Sequence, residues 1–155
     1  MNVYLPFTHL RCETYEACLG AKLIPLRDHE KSYGYYWHDI WEKGETFINV
    51  EQDVVPLAGV LEEMWNCPHP YCRTEYSYPW AGSRIDTSPI GCAKFSSEFI
   101  AQYPKIFLRG IVWHEPQHVI LNASLNKGHV HNPPSLHLHV ADDWPLEALR
   151  RFKTP

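Results

Sequence analysis

The stretch ETFINVEQDVVP, residues 45–56, constrains the fold of this chain more than any other segment. Its letters FINV, residues 47–50, are mostly apolar and β-favouring, which predicts a short buried strand. The apolar run stops at Glu51, Gln52 and Asp53, so two carboxylates follow the carboxyl end of that strand. Because ligands in open α/β sheets bind beyond the carboxyl ends of strands, the sequence predicts a binding site at these residues.

The residue types at this position indicate what such a site would bind. The carboxylate oxygens of Glu51 and Asp53 suit a hard divalent cation such as Mg²⁺ or Mn²⁺. An alternative needs no ligand: both acidic residues would solvate a loop and cap the helix that follows, since acidic side chains stabilise helix N-termini. The local sequence leaves both interpretations open.

The opening elements of the chain predict its fold class. A strand over residues 3–7, a helix within residues 11–21 and a strand over residues 22–26 form a β-α-β unit, which is typical of an α/β sheet. The periodicity further predicts helices within residues 36–44, 57–65, 96–103 and 116–125, with residues 90–95 leading into the third, and an aromatic strand over residues 73–80. We therefore expect one α/β domain spanning residues 1–155.

Composition narrows the class of protein. The chain has 155 residues, 45% of them hydrophobic and 21% charged, which indicates an ordinary globular domain. A net charge of -4 argues against non-specific binding to nucleic acid through its phosphates. The start of the chain does not resemble a signal peptide, and no apolar run approaches the length of a membrane span. With an odd set of five cysteines, we expect a cytoplasmic protein with free thiols and no membrane partner.

A second candidate site lies in HVHNPPSLHLHV, residues 129–140. His137 and His139 alternate there with apolar residues, so both imidazoles would lie on one face of a strand. The alternative is a surface strand whose histidines simply face water.

Two other segments contain residues typical of zinc sites. CPHPYC, residues 67–72, holds two thiols and an imidazole, but no second ligand pair is evident, so we predict a turn with buried thiols. His114, Glu115 and His118 match the HExxH pattern of zinc peptidases. Pro116 interrupts that pattern, and because proline is favoured at the first helical position, a helix starting there would leave His114 off the face of His118.

The order of four motifs carries a resemblance to a known family. They are VEQD at residues 50–53, CPHPYC at 67–72, IGCAKFS at 90–96 and PPSLHLH at 133–139. In this order they resemble a small glycosyltransferase-like family with the GT-A nucleotide-sugar fold, found in actinobacteria and bacteriophages. The resemblance covers most of residues 3–140. It implies a Rossmann-like mixed sheet flanked by helices, in a minimal version because 155 residues are few for this fold.

The resemblance also implies a set of metal and nucleotide contacts. Asp53 would hold a Mn²⁺ or Mg²⁺ ion directly, Glu51 would contact the metal or the ribose, and His137 or His139 would complete the metal shell. The first strand and its loop, with Pro6, Thr8 and Arg11, would cradle the nucleotide together with Gln52.

The implied activity is transfer of a sugar from a nucleotide-diphosphate donor to an acceptor. For a phage-encoded enzyme in the host cytoplasm, acceptors include modified DNA, a protein or a glycan. The acceptor hydroxyl needs a base, for which Asp86, Glu115 and Asp142 are candidates. The family usually carries an Asp after the Trp that matches Trp113, and if that Asp is the base, Glu115 is the nearby substitute here. Two other functions stay open: a zinc-dependent hydrolase using the HExxH residues, and a non-catalytic domain that binds nucleotide sugars.

Overall fold

The computed structural model describes residues 1–27, 31–77, 85–86, 90–107, 116, 118–120 and 128–138. Its strands are β1 (Val3–Phe7), β2 (Lys22–Pro25), β3 (Phe47–Val50), β4 (Val54–Val55), β5 (Tyr71–Ser77), β6 (Ile85–Asp86), β7 (Cys92–Phe95) and β8 (His129–His137). Its helices are α1 (Cys12–Ala17), α2 (Lys31–Glu42), α3 (Val60–Asn66) and α4 (Ser97–Gln102). Among these described helices, none combines the length and the apolar character that crossing a bilayer requires.

The strands form one mixed sheet in the order β2-β1-β3-β7-β5-β8-β4, and β6 pairs with β5 outside this path. β1 is parallel to β2 and to β3, and β5 is parallel to β8. β7 runs antiparallel between β3 and β5, and β4 runs antiparallel to β8 at the far edge. The structure therefore confirms an α/β fold with a mixed sheet.

Helices cover both faces of this sheet because successive strand residues point to opposite sides. On β3, Phe47 enters an aromatic cluster with α2 and α4, whereas Ile48 enters an aliphatic cluster with α3. Within α2, Tyr33, Trp37 and Trp41 recur at helical spacing and are all buried. α2 thus packs its whole aromatic face against the sheet.

Several predicted boundaries move in the structure. Residues 92–95, expected to lead into a helix, form β7 near the middle of the sheet, and the short β4 was not predicted. A strand buried on both faces carries no alternating pattern, which explains the first error. α1, Cys12–Ala17, lies within the predicted range of residues 11–21. Ser96 caps α4, since its side-chain oxygen accepts a hydrogen bond from the Phe99 N–H.

Replacing the central ring of the aromatic cluster should destabilise the protein strongly. Trp37 is fully buried and packs against Phe95 and Phe107. We expect Trp37→Ala to lower the free energy of unfolding by about 3–5 kcal/mol, because it leaves a large cavity. The control Tyr35→Ala removes a ring on the same helix that is 49% exposed. Urea unfolding of both variants checks this, and equal losses would contradict the assignment of Trp37 to the core.

Candidate functional site

The predicted binding residues lie at a point where the strand order reverses. β1 pairs in parallel with β2 on one side and with β3 on the other, so the carboxyl ends of β1 and β3 are neighbours. Residues 8–11 follow β1 and residues 51–53 follow β3. A crevice outside the carboxyl ends of strands at such a switch point is where open α/β sheets bind ligands.

Gln52 joins the two loops at this point. Its side-chain oxygen accepts hydrogen bonds from the backbone N–H of Thr8 at 2.7 Å and of His9 at 3.1 Å. Its backbone oxygen accepts from the N–H of Arg11 at 3.3 Å. The structure therefore brings together three of the predicted nucleotide contacts, Thr8, Arg11 and Gln52. The fourth, Pro6, lies within β1 and pairs with Ile24 of β2.

Asp53 and His137 meet although 84 positions separate them in the chain. The distance from Asp53 Oδ2 to His137 Nε2 is 3.5 Å. The backbone brings them together, because Val54 of β4 pairs with His137 and the Leu138 N–H donates to the Asp53 carbonyl at 2.8 Å. The predicted convergence of the acidic motif and a late histidine is therefore present.

The His137 ring is held rather than solvated. Its residue is 8% exposed, and its ring stacks on that of Tyr76 with centroids 4.5 Å apart. The alternative of a histidine that simply faces water is wrong for this residue. His139 lies outside the described residues.

Glu51 is buried behind the Asp53–His137 pair. Its Oε1 accepts from the Tyr33 hydroxyl at 2.7 Å and its Oε2 from the Tyr76 hydroxyl at 2.9 Å. Burial raises the pKa of Glu51 above its ordinary value, and the two tyrosine hydrogen bonds oppose that shift. The idea that Glu51 merely solvates a loop is therefore wrong. Each of its two carboxyl oxygens already accepts a hydrogen bond from a tyrosine. The expected contact of Glu51 with a metal or ribose stays a prediction.

Gly91 provides the space for this arrangement. A β-carbon at Gly91 would overlap the Tyr76 hydroxyl and come within 2.8 Å of Glu51 Oε2. The Gly91 carbonyl also accepts the Glu51 backbone N–H at 2.7 Å. A residue with any side chain at position 91 would therefore displace the tyrosine from the carboxyl group.

Comparison with known proteins supplies no family for this chain. No family model, no curated protein and no solved structure matched it. The site is therefore interpreted from its own geometry.

Most of the candidate catalytic bases lie outside the described residues. His114, Glu115 and Asp142 lie outside the described residues. Asp86 is described only through its backbone, which pairs with that of Tyr76. Of the two histidines in the rival HExxH motif, His118 alone is among the described residues, and it is an exposed residue in a helix.

Sequence reasoning missed two sets of residues. The tyrosines that bind Glu51 come from α2 and β5, and their sequence positions gave no sign of a shared partner. The CPHPYC segment also gave no sign that Cys67 would lie beside His129 and His131, whose ligand atoms are within 4.8 Å of its sulfur. The HVH spacing of that pair was the available signal, since alternate residues of a strand share a face.

Removing the Tyr33 hydroxyl, which donates a hydrogen bond to Glu51, should destabilise the protein. Tyr33→Phe leaves a buried carboxyl oxygen without its donor, and we expect a loss of about 1–3 kcal/mol in the free energy of unfolding. Tyr35→Phe is the matched control, two positions away on the same helix and half exposed. Denaturant titration of both variants makes the comparison. A Tyr33→Phe variant as stable as Tyr35→Phe would argue against a buried hydrogen bond to Glu51.

Proposed function

We propose that this protein is a metal-dependent glycosyltransferase that moves a sugar from a nucleotide-diphosphate donor to an acceptor. The observation that carries this proposal is the meeting of Asp53 and His137 beside the carboxyl ends of β1 and β3. Asp53 follows β3, the strand that pairs with β1, and His137 is the last residue of β8. The loop that follows β1 reaches both segments, since the Arg11 backbone N–H donates to the Gln52 carbonyl and its guanidinium donates to the Leu138 carbonyl. The resemblance in motif order adds the expected donor class.

The donor atoms fit a divalent cation such as Mn²⁺ or Mg²⁺. Two adjacent ligands of an octahedral ion, each bound at about 2.1 Å, lie about 3 Å apart. The 3.5 Å separation of Asp53 Oδ2 and His137 Nε2 is close to that value. A carboxylate suits either ion, and an added imidazole favours Mn²⁺ over Mg²⁺. Bound there, the ion would neutralise charge on the departing phosphates.

The surrounding residues would bind and orient the donor. The backbone N–H groups of Thr8 and His9, which now donate to the Gln52 side chain, are donors suited to phosphate or ribose oxygens. Arg11 reaches across to the end of β8, where its Nη2 donates to the Leu138 carbonyl at 3.4 Å. Its guanidinium therefore adds a permanent positive charge beside the Asp53–His137 pair.

The buried Glu51 side chain helps to fix the backbone that carries Asp53 of the Asp53–His137 pair. Its hydrogen bonds to α2 and β5 hold residue 51, and Asp53 follows two positions later. Preorganised polar groups of this kind need little rearrangement when a ligand binds. The acceptor hydroxyl also requires a base within hydrogen-bond reach, and Glu115 remains our candidate for it.

Ligand-induced stabilisation tests the proposal directly. We expect nucleoside diphosphates to stabilise the protein against thermal unfolding only when Mn²⁺ is present, by about 2.7 kcal/mol at a ligand concentration 100-fold above Kd. Asp53→Asn and His137→Gln should abolish the Mn²⁺-dependent part of this stabilisation. Asp39→Asn, which changes an aspartate whose side chain is 71% exposed on α2, should leave it intact.

The outcome also separates the competing functions. Release of free sugar from a nucleotide-sugar donor, dependent on Asp53, would distinguish a transferase from a domain that only binds nucleotide sugars. A zinc-dependent hydrolase would instead lose activity in His118→Ala and show no effect of nucleotides. Absence of stabilisation by every nucleoside diphosphate tested with Mn²⁺ would refute the proposal.

A further inference from the structure

A second group of metal-ligating side chains lies at the opposite end of β8. The ligand atoms of Cys67, His129 and His131 lie within 4.8 Å of one another. Cys67 follows the last residue of α3, and the two histidines occupy the first and third positions of β8. From His129 to His137 is eight residues of strand, or about 26 Å at 3.3 Å per residue, so this cluster is separate from the Asp53 site.

His131 is the residue that points to a ligand. It is 4% exposed, and its Nδ1 lies 2.9 Å from a carboxylate oxygen of Glu63 on α3. A carboxylate oxygen accepts, so Nδ1 is the donor in this pair, and in the neutral imidazole Nε2 then carries the lone pair. Nε2 is buried and has no hydrogen-bond partner among the described residues. A buried imidazole nitrogen of this kind requires a partner, and a metal ion supplies one.

The arrangement around His131 is the one that metal sites use. Metal-bound histidines commonly donate their second ring N–H to a carboxylate, which fixes the ring and makes the ligand nitrogen more basic. Glu63 stands in that position. The backbone of Cys67 is fixed as well, because the Lys94 amine donates to its carbonyl oxygen.

We propose that Cys67, His129 and His131 bind a zinc ion. A thiolate with two imidazoles is a donor set that suits zinc rather than magnesium, calcium or manganese. Ligand atoms of a tetrahedral zinc lie about 3.5 Å apart, so the cluster needs to contract by roughly one ångström. His129 is exposed, and its ring, which stacks on that of His69 with centroids 4.6 Å apart, would turn to do this. That exposure also leaves the fourth coordination position open to solvent.

The ion would join the end of α3 to the start of β8. Glu63 and Cys67 lie in or directly after α3, and the histidines belong to a strand that pairs with both β5 and β4. Zinc would therefore fix the amino end of the strand whose carboxyl end carries His137. This inference does not depend on the proposed glycosyltransferase activity.

Metal content tests the inference without any nucleotide. Protein expressed with added zinc should retain it in stoichiometric amount after desalting, and the Co²⁺-substituted protein should show thiolate-to-cobalt charge-transfer absorption. Cys67→Ser should abolish both signals, whereas Cys12→Ser, which alters an exposed cysteine, should keep both. His129→Gln changes an exposed residue, so it tests the ligand set even if Cys67→Ser fails to fold.

Glu63 gives a finer test of the same site. Glu63→Gln weakens its hold on His131, and we expect zinc affinity to fall by about 10–100-fold in competition with a chromogenic chelator. Glu62→Gln, at the adjacent exposed position, should leave the affinity unchanged. Wild-type protein without retained zinc, a cobalt spectrum lacking thiolate absorption, or equal affinities for the two glutamate variants would each overturn the proposal.

Discussion

The burial of Glu51 at the end of β3 is the constraint on which the described structure depends. A carboxyl group removed from water requires hydrogen-bond donors, and the Tyr33 and Tyr76 hydroxyls provide them. Two positions earlier, the buried Asn49 side chain also has its hydrogen-bond partners: it accepts from the Tyr36 hydroxyl and donates to the Ile90 carbonyl. These bonds tie α2, β3, β5 and the chain before β7 into one unit. They also explain why position 91 is a glycine.

The Glu51 side chain points inward, and the next two residues make the contacts that join this loop to neighbouring segments. Gln52 holds the loop after β1 through Thr8 and His9, and Asp53 meets β8 through Leu138. Three segments far apart in sequence are thus fixed against each other by hydrogen bonds of the backbone and of the Gln52 side chain. Because these bonds hold the segments, the Asp53–His137 pair has a defined geometry before any ligand binds.

β8 connects the two candidate sites, which differ in their chemistry. Its carboxyl end presents His137 to a carboxylate, an arrangement suited to a hard cation and phosphate. Its amino end presents His129 and His131 to a thiol, an arrangement suited to zinc. The strand is parallel to β5, so both ends are anchored to the same neighbour in the centre of the sheet. A metal that fixed one end would restrict how the strand presents its other end.

Local sequence is enough to specify the buried FINV strand, the acidic residues that end it, and the alternation that places His129 and His131 on one face of β8. It also indicated that residues 51–53 and a late histidine belong to one site, although only through a resemblance in motif order. The tertiary structure alone decided that Glu51 faces the core while Asp53 faces His137, and that Cys67 meets two histidines. These outcomes depend on which strands become neighbours in the sheet, and β8 joins its partners only after more than fifty intervening residues. Local periodicity records which face a side chain occupies, but it carries no information about the distant element that will cover that face.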